Sequence, residues 1–273
     1  MLYILLPIHN RRQLTKEFMK CLQKQTYQDF HLVLIDDGST DGTADMVCNY
    51  LPDTTVIKGK GDWWWGGALH QGYKWIRKHA QDGKDFVLII NDDTSFEKDF
   101  LEKAVKFLQN KEKTLLLACT RSIQTGKIYD TGTKIDWAHF TFRNANEGEE
   151  IDCLATRGLF VRVEDFLMIG GFHPFLLPHY LSDYEWTIRA KRKGFRLITT
   201  LDIWLWNNEI TTGYHKVENN IRSVFSKKSA VNPLYLFNFI LLACPLKYKL
   251  SAIYHGIVRK VIHYLLREIK EKC

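Results

Sequence analysis

Cysteine is scarce and unpatterned in this 273-residue chain. Cys21, Cys48, Cys119, Cys153, Cys244 and Cys273 form no C-x-x-C pair and none stands at zinc spacing from a histidine. This argues against a structural zinc site and for free thiols in a reducing compartment. No run reaches the roughly 18–20 uninterrupted apolar residues of a membrane span. No basic stretch precedes the first apolar run, so no signal peptide is read and a cytoplasmic location is expected. Two phosphate-loop patterns are missing as well: G-x-x-x-x-G-K-[ST], and G-x-G-x-x-G after the first apolar segment. Nucleotide triphosphate hydrolysis and dinucleotide redox chemistry are therefore not expected. Internal repeats and low-complexity linkers are absent too. What is present is ordinary globular composition, 45% hydrophobic and 25% charged, enough for one large domain or two small ones.

Charge is unevenly spread. Residues 213–273 hold eleven Lys/Arg against three Glu, a net +8, while the first 212 residues carry −1. A near-neutral body does not suit a nucleic-acid groove, whereas the basic tail suits an anionic membrane surface or a solvated helical face.

Apolar runs at Leu2–Ile8, His31–Ile35, Phe86–Ile90 and Thr114–Ala118 read as strands buried on both faces, with Thr55–Lys58 and Arg196–Ile203 as further strands. Helical spacing falls between them at Thr15–Gln25, Thr40–Leu51, Gly66–Ala80 and Phe100–Asn110, and later at Val163–Ile169 and Asp183–Lys193. Alternation of this kind predicts an α/β domain with a mostly parallel central sheet covered by helices on both faces. Arg121–Glu150 reads as an insertion or a β-meander.

Ligands bind at the carboxyl ends of such strands. Three polar clusters fall there: Pro7-Ile8-His9-Asn10-Arg11, the acidic loop Asp36–Gly42, and Asn91-Asp92-Asp93. Adjacent carboxylates at a strand tip suit Mg²⁺ or Mn²⁺, which bind through one or two carboxylates plus substrate phosphates. Asp183 and Glu185 stand two apart at a helix start and cannot share a face, so one of them is available as a base, and Asp183 is chosen. The glycines around Trp63-Trp64-Trp65 read as a tight loop, with Trp65 near a ligand and the other two packed. Tyr180 and Trp186 flank Asp183 and either border an acceptor pocket or pack in the core, and Glu185 is placed with them as an acceptor-side candidate.

PIHNR at 7–11, IDDGSTDGT at 35–43, NDD at 91–93 and LSDYEW at 181–186 resemble, in order and spacing, the signature blocks of family 2 inverting glycosyltransferases. GDWWWGGALHQG, GGFHP and SDYEWTIRAKRKGF resemble its bacterial rhamnosyltransferase-like branch. The resemblance covers about residues 1–215 and implies the GT-A fold. By it, residues 1–110 form a nucleotide-sugar half, 111–212 an acceptor half and 213–273 an extension. Pro7, His9, Asn10 and Arg11 would contact base and ribose, Asp37 the pyrimidine or ribose, and Asn91 or Asp92 the ribose or sugar. Asp93 would bind the metal, Gly67 and Gln71 would line the donor pocket, and Asp183 would be the catalytic base. Relatives place a histidine after the last strand; here Trp206-Asn207-Asn208-Glu209 stands there and His215 follows later. The implied activity is metal-dependent transfer of a sugar, rhamnose from its thymidine diphosphate by the finer likeness, to a hydroxyl of a surface-glycan acceptor. Two rivals are a sugar-phosphate nucleotidyltransferase, disfavoured because PIHNRR has no glycine, and an inactive nucleotide- or glycan-binding module.

Leu234–Cys244 is nearly all apolar and ends at Pro245. Beyond it, Leu246, Leu250, Ile253, Ile257, Val261, Leu265 and Ile269 recur at three- and four-residue steps among Lys247, Lys249, Arg259, Lys260, Arg267 and Lys270. That is a basic amphipathic helix. It either lies on the inner face of a membrane, near a lipid-linked acceptor, or docks on the domain or on a second copy.

Overall fold

The computed structural model describes residues 1–208, 210, 221–227 and 229–272, with backbone alone at 221, 222 and 267–272. The amino-terminal part runs β1 (Leu2–Ile8), α1 (Arg12–Gln23), β2 (Phe30–Asp36), α2 (Thr43–Tyr50), β3 (Thr55–Lys58), α3 (Trp64–His79), β4 (Phe86–Ile89), β5 (Thr94–Ser95) and α4 (Phe100–Leu108). Next come β6 (Thr114–Ser122), β7 (Ile128–Asp130), β8 (Thr133–Asp136), β9 (Thr141–Asn144), β10 (Leu159–Arg162), α5 (Val163–Ile169), α6 (Ser182–Arg192) and β11 (Arg196–Asn207). The C-terminal segment holds α7 (Ile221–Val224), α8 (Pro233–Ala243), α9 (Lys249–Ile253) and α10 (Arg259–Lys272).

The main sheet is ordered β3-β2-β1-β4-β10-β6-β11-β5, with β7 also on β6. Strands β1, β2, β3 and β4 pair in parallel, as do β6 and β11, while β10 runs antiparallel between β4 and β6. The expected mostly parallel sheet is present, and β10 and β5 are additions to it. Four residues and two residues are too few to show a period.

Because the side-chain period of a strand is two, each apolar strand feeds both faces. Leu2, Ile4, Leu6 and Ile8 pack with Phe18 and Leu22 of α1, Val47 of α2 and Leu101 of α4. Tyr3 and Leu5 point the other way, toward Leu69 and Ile76 of α3, Phe166 of α5 and Trp186 of α6. Gly72 lets α3 lie close on the sheet: a Cβ there would fall 2.8 Å from Ile35 Cδ1.

A third core lies outside the sheet. The β8–β9 hairpin supplies Ile135 and Phe140, α6 supplies Ile188, and α8 covers them with Leu236, Phe239, Ile240 and Ala243. Asn232 caps α8, its side chain accepting from Leu234 N at 3.0 Å, and Pro233 opens the helix. After Pro245 the chain makes a short 3₁₀ turn, α9, and a π-helical turn over Tyr254–Val258 that leads into α10. The basic amphipathic helix is thus present, but its apolar seam is divided. Ile253 and Ile257 pack on the third core, whereas Leu246 and Leu250 are 84% and 85% exposed. Gly256 sits against the Phe140 ring, where a Cβ would come within 2.5 Å. One side of this segment is thus docked on the domain, and the other is exposed. The boundary at residue 213 and His215 lie outside the described residues.

Candidate active site

The site grows from a gap in the sheet. β1 pairs with β2 through Ile8, but with β4 only as far as Leu5–Ile89. Pro7 has no N–H with which to continue the β4 ladder. The two strands therefore part at their carboxyl ends, and this is where the strand order reverses, with β2 and β3 on one side and β4 and β10 on the other.

Two loops close one wall of the gap. The His9 Nδ1–H donates to the Asp37 carbonyl at 2.6 Å. Asn10, at φ +50°, donates its backbone N–H to Ser39 Oγ at 2.9 Å, and its side chain accepts from Thr40 N at 2.8 Å. Asp41 accepts from Arg12 N at 3.0 Å. Asp37 is more heavily engaged: Gly61 N, Trp63 N and Trp64 N donate to its carboxylate at 2.9, 2.9 and 3.0 Å. It anchors the turn leading into α3 and has little acceptor capacity left for a ligand.

Arg11 spans the gap floor, 3.0 Å from Asp92 Oδ1 and 2.9 Å from Asp93 Oδ2. Thr15 donates to the other Asp92 oxygen at 2.8 Å. Asp92 is buried, and burial pushes its pKa up to about 6 despite Arg11. It faces inward as the tie between α1 and β4. Asp93 is equally buried, with Arg11 on its Oδ2. Beside it, Asn208 N donates to the Asp93 carbonyl, and the amide of Asn207 is fully buried with neither its oxygen nor its nitrogen hydrogen-bonded. Asn91 Oδ1 is likewise buried and unbonded. Among the described residues no three His, Cys, Asp or Glu side chains cluster as a metal cage. One carboxylate with neutral amide oxygens nearby fits an ion such as Mg²⁺ or Mn²⁺ that completes its shell with diphosphate and water.

The opposite wall is α6, entered through Leu181 at φ +64°. Asp183 accepts from the following Tyr184 N at 2.9 Å. Burial raises its pKa to about 6; Arg157 opposes the shift and Asp130 adds to it. Glu185 is held differently. Arg189 grips both its oxygens at 2.9 and 3.0 Å and also donates to the Ile169 and Gly171 carbonyls. Glu185 is a buried structural ion pair turned from the gap. Trp186, expected either at an acceptor border or in the core, is fully buried, stacks on Phe172 and donates to the Gly170 carbonyl at 2.7 Å. It occupies the inner face of α6. Tyr180 stays near the opening in an aromatic row with His179 and Trp64, at centroid distances of 4.4 and 5.7 Å.

The tryptophan run is not the tight loop expected. Trp64 and Trp65 form the first turn of α3, which starts there because Gly66 and Gly67 pack against neighbouring chain. A Cβ at Gly66 would fall 2.5 Å from the Leu177 carbonyl oxygen, and one at Gly67 3.1 Å from Trp63 Cβ. Gly67 therefore serves packing. Trp65 bonds Thr156 Oγ1 at 3.0 Å and packs on the second core, and Gln71 is half-buried one turn on.

One residue escaped the sequence reading. Arg157 lies over the Tyr129 ring at 5.3 Å, within electrostatic reach of Asp130, Asp93 and Asp183. Burial favours its neutral form, but Tyr129, Asp130 and Asp93 outweigh burial and hold its pKa above the usual value. Its signal is Thr156-Arg157-Gly158 ahead of the apolar run Leu159-Phe160-Val161. Because β10 runs antiparallel, its beginning reaches the same sheet edge where the parallel strands end.

A family model described as "Glycosyl transferase family 2" matches residues 3–167. "Glycosyltransferase GlyG" of Streptococcus pneumoniae is 22% identical over 120 residues, 42% of this chain and 37% of that protein. An uncharacterized glycosyltransferase of Haemophilus influenzae is 26% identical over 141 residues, 49% of this chain and 54% of its own. The chain thus spans between a third and about half of these two relatives. Among solved structures, S. aureus TarS 1-349 in complex with UDP-GlcNAc superposes with a TM-score of 0.63 at 17% identity, over 93% of this chain and 71% of that one. The Pyrobaculum calidifontis mannosyltransferase PcManGT with GDP-Man and Mn²⁺ gives 0.61 at 18%, over 93% and 69%. These likenesses agree on the fold, which is the GT-A fold expected. With the family model covering most of the sheet and the loops after β1, β2 and β4, and ending ahead of α6, the chain belongs to glycosyl transferase family 2.

Proposed function

We propose that the chain transfers a sugar from a nucleotide-diphosphate donor to a hydroxyl of a glycan acceptor, with inversion, in the gap between β1 and β4. The observation that carries this reading is the gathering of Asp93, Arg157 and Asp183 from three separate elements at one sheet edge. A carboxylate with a pKa near 6 suits a general base working near neutral pH.

In this reading Asp183 takes the proton of the acceptor hydroxyl as its oxygen bonds the anomeric carbon. The bond from that carbon to the diphosphate breaks on the opposite face, and the diphosphate leaves with the electron pair. Arg11 and Arg157 are the cations placed to meet that charge. Asp93 would hold a divalent ion, Mg²⁺ or Mn²⁺, which when bound supplies Lewis-acid stabilisation of the leaving diphosphate. The wired loops at His9–Arg11 and Ser39–Asp41 border the nucleotide, and the Asn207 amide lies on the donor side beside Asp93. Tyr180 and Trp64 border the acceptor opening. The rhamnosyltransferase-like blocks make thymidine-diphosphate rhamnose the first donor to try, and a lipid-linked surface glycan the acceptor class.

The test is a panel of nucleotide sugars with Mn²⁺, read by thermal stabilisation and by release of nucleoside diphosphate. A bound donor raises the melting temperature by mass action. Asp93→Ala is expected to abolish transfer and the metal-dependent part of that stabilisation. Undiminished transfer in excess chelator would overturn the metal role, and no stabilisation by any donor would overturn the reading itself.

A further inference from the structure

Around the third core lies an apolar surface that the transfer chemistry does not use. Phe175, at the tip of the loop between α5 and α6, is 95% exposed. Two residues later Leu177 is fully buried in the third core, so the tip is held on a fixed base. Asn238 of α8 donates to the Leu176 carbonyl at 3.0 Å. Leu234, Phe237 and Leu241 share the outward face of α8 with Asn238 and are 59%, 40% and 46% exposed. Lys249 then donates to the Leu241 carbonyl at 3.1 Å, which brings exposed Leu246 and Leu250 alongside. The contacts thus join the loop tip, the outer face of α8 and the first turns after Pro245.

The segments that form this surface carry charge of one sign. From Ser229 to Leu266 the sequence has Lys247, Lys249, Arg259 and Lys260 and no Asp or Glu, and Gly170–Leu181 has no acidic residue. In a two-fold dimer these faces would meet their own cations. Large apolar side chains ringed by cations instead match a bilayer interface with anionic headgroups.

We infer that Phe175, the outer face of α8 and the Leu246–Leu250 turn form one membrane-docking surface that seats the enzyme on anionic lipid. The surface adjoins the acceptor side of the site, because the loop carrying Phe175 runs on through His179 and Tyr180 into α6 and Asp183. Docking would present the opening to a glycan standing on a lipid. This rests on the glycosyltransferase reading only for its purpose; the surface itself is testable without any sugar.

The experiment is co-sedimentation of the full chain with vesicles of phosphatidylcholine alone or with phosphatidylglycerol, at low and high salt. Binding is expected only with phosphatidylglycerol, weakened by salt. Phe175→Ser and Leu250→Ser are each expected to weaken it about tenfold, the worth of one large apolar side chain returned to water. Neither should alter the melting temperature, since both side chains are exposed. Donor stabilisation, measured in the same samples, separates failure of the surface from failure of the site. Absence of binding to anionic vesicles, binding unchanged in both variants, or a dimer that both variants dissolve would each overturn the inference.

Discussion

The two walls of the gap are built on opposite principles. On the wall formed by the loops after β1 and β2, carboxylates are occupied by the protein: Asp37 takes three backbone N–H groups, and Asp41 takes Arg12 N, Thr43 N and the Thr43 hydroxyl. Burial raises the Asp41 pKa, yet those bonds together hold it below the usual carboxylate value. On the other side, Asp183 accepts from Tyr184 N and Asp130 from Gly132 N, and burial raises both pKa values. One wall is fixed in shape by satisfied charge, and the other keeps under-satisfied charge ready for a proton. Acidic residues that look alike in a sequence therefore divide into scaffold and chemistry by how many donors reach them.

The sharpest way to break this contrast lies within one motif. Asp183→Asn is expected to lower kcat roughly 10²–10⁴-fold with donor affinity little changed. Glu185→Gln should leave kcat near wild type but destabilise the fold by about 2–4 kcal/mol, because it disturbs a buried pair with Arg189. The reverse pattern in kinetics and melting would exchange the two assignments. Next in size is Asp37→Ala. Orphaning three backbone donors is expected to cost about 3–5 kcal/mol in denaturant titrations and to weaken donor binding through loss of the loop. A variant with unchanged stability and lost donor affinity would instead make Asp37 a ligand contact.

The smallest effects concern pH. As the pH drops through about 6, Asp183 takes up its proton, and kcat/KM should fall about tenfold for each further unit. Stability runs the other way for this group. Its folded pKa lies above the unfolded carboxylate value near 3.9, so its ionisation costs folding free energy between about pH 4 and pH 6. Asp183→Asn should therefore gain melting temperature relative to wild type across that window. A constant difference would mean that Asp183 titrates normally.

Much of this was legible in the chain. Leu2–Ile8 and Phe86–Ile89 announce buried parallel strands because both their faces must be apolar, and polar residues at their ends then have to meet. What stayed hidden depended on contacts distant in sequence. Arg157 reaches the site only because β10 is antiparallel, and four residues carry no mark of direction. Trp186 and Glu185 look like neighbours of Asp183, yet the turn of α6 sends them into Phe172 and Arg189. The seam of the last helix reads as a single face, and it divides because Gly256 finds Phe140.

That last contact sets an order in time. The third core is opened by residues 135–188 and closed by residues 236–257, more than a hundred positions further from the amino terminus for the Phe140–Gly256 pair. At about 5–20 residues per second, the ring of Phe140 waits on the order of ten seconds for its cover during synthesis. Through that interval the hairpin offers an uncovered apolar face to whatever is nearby. A chain stopped before α8 would keep that face permanently, and is expected to be recovered bound to chaperones or in inclusion bodies.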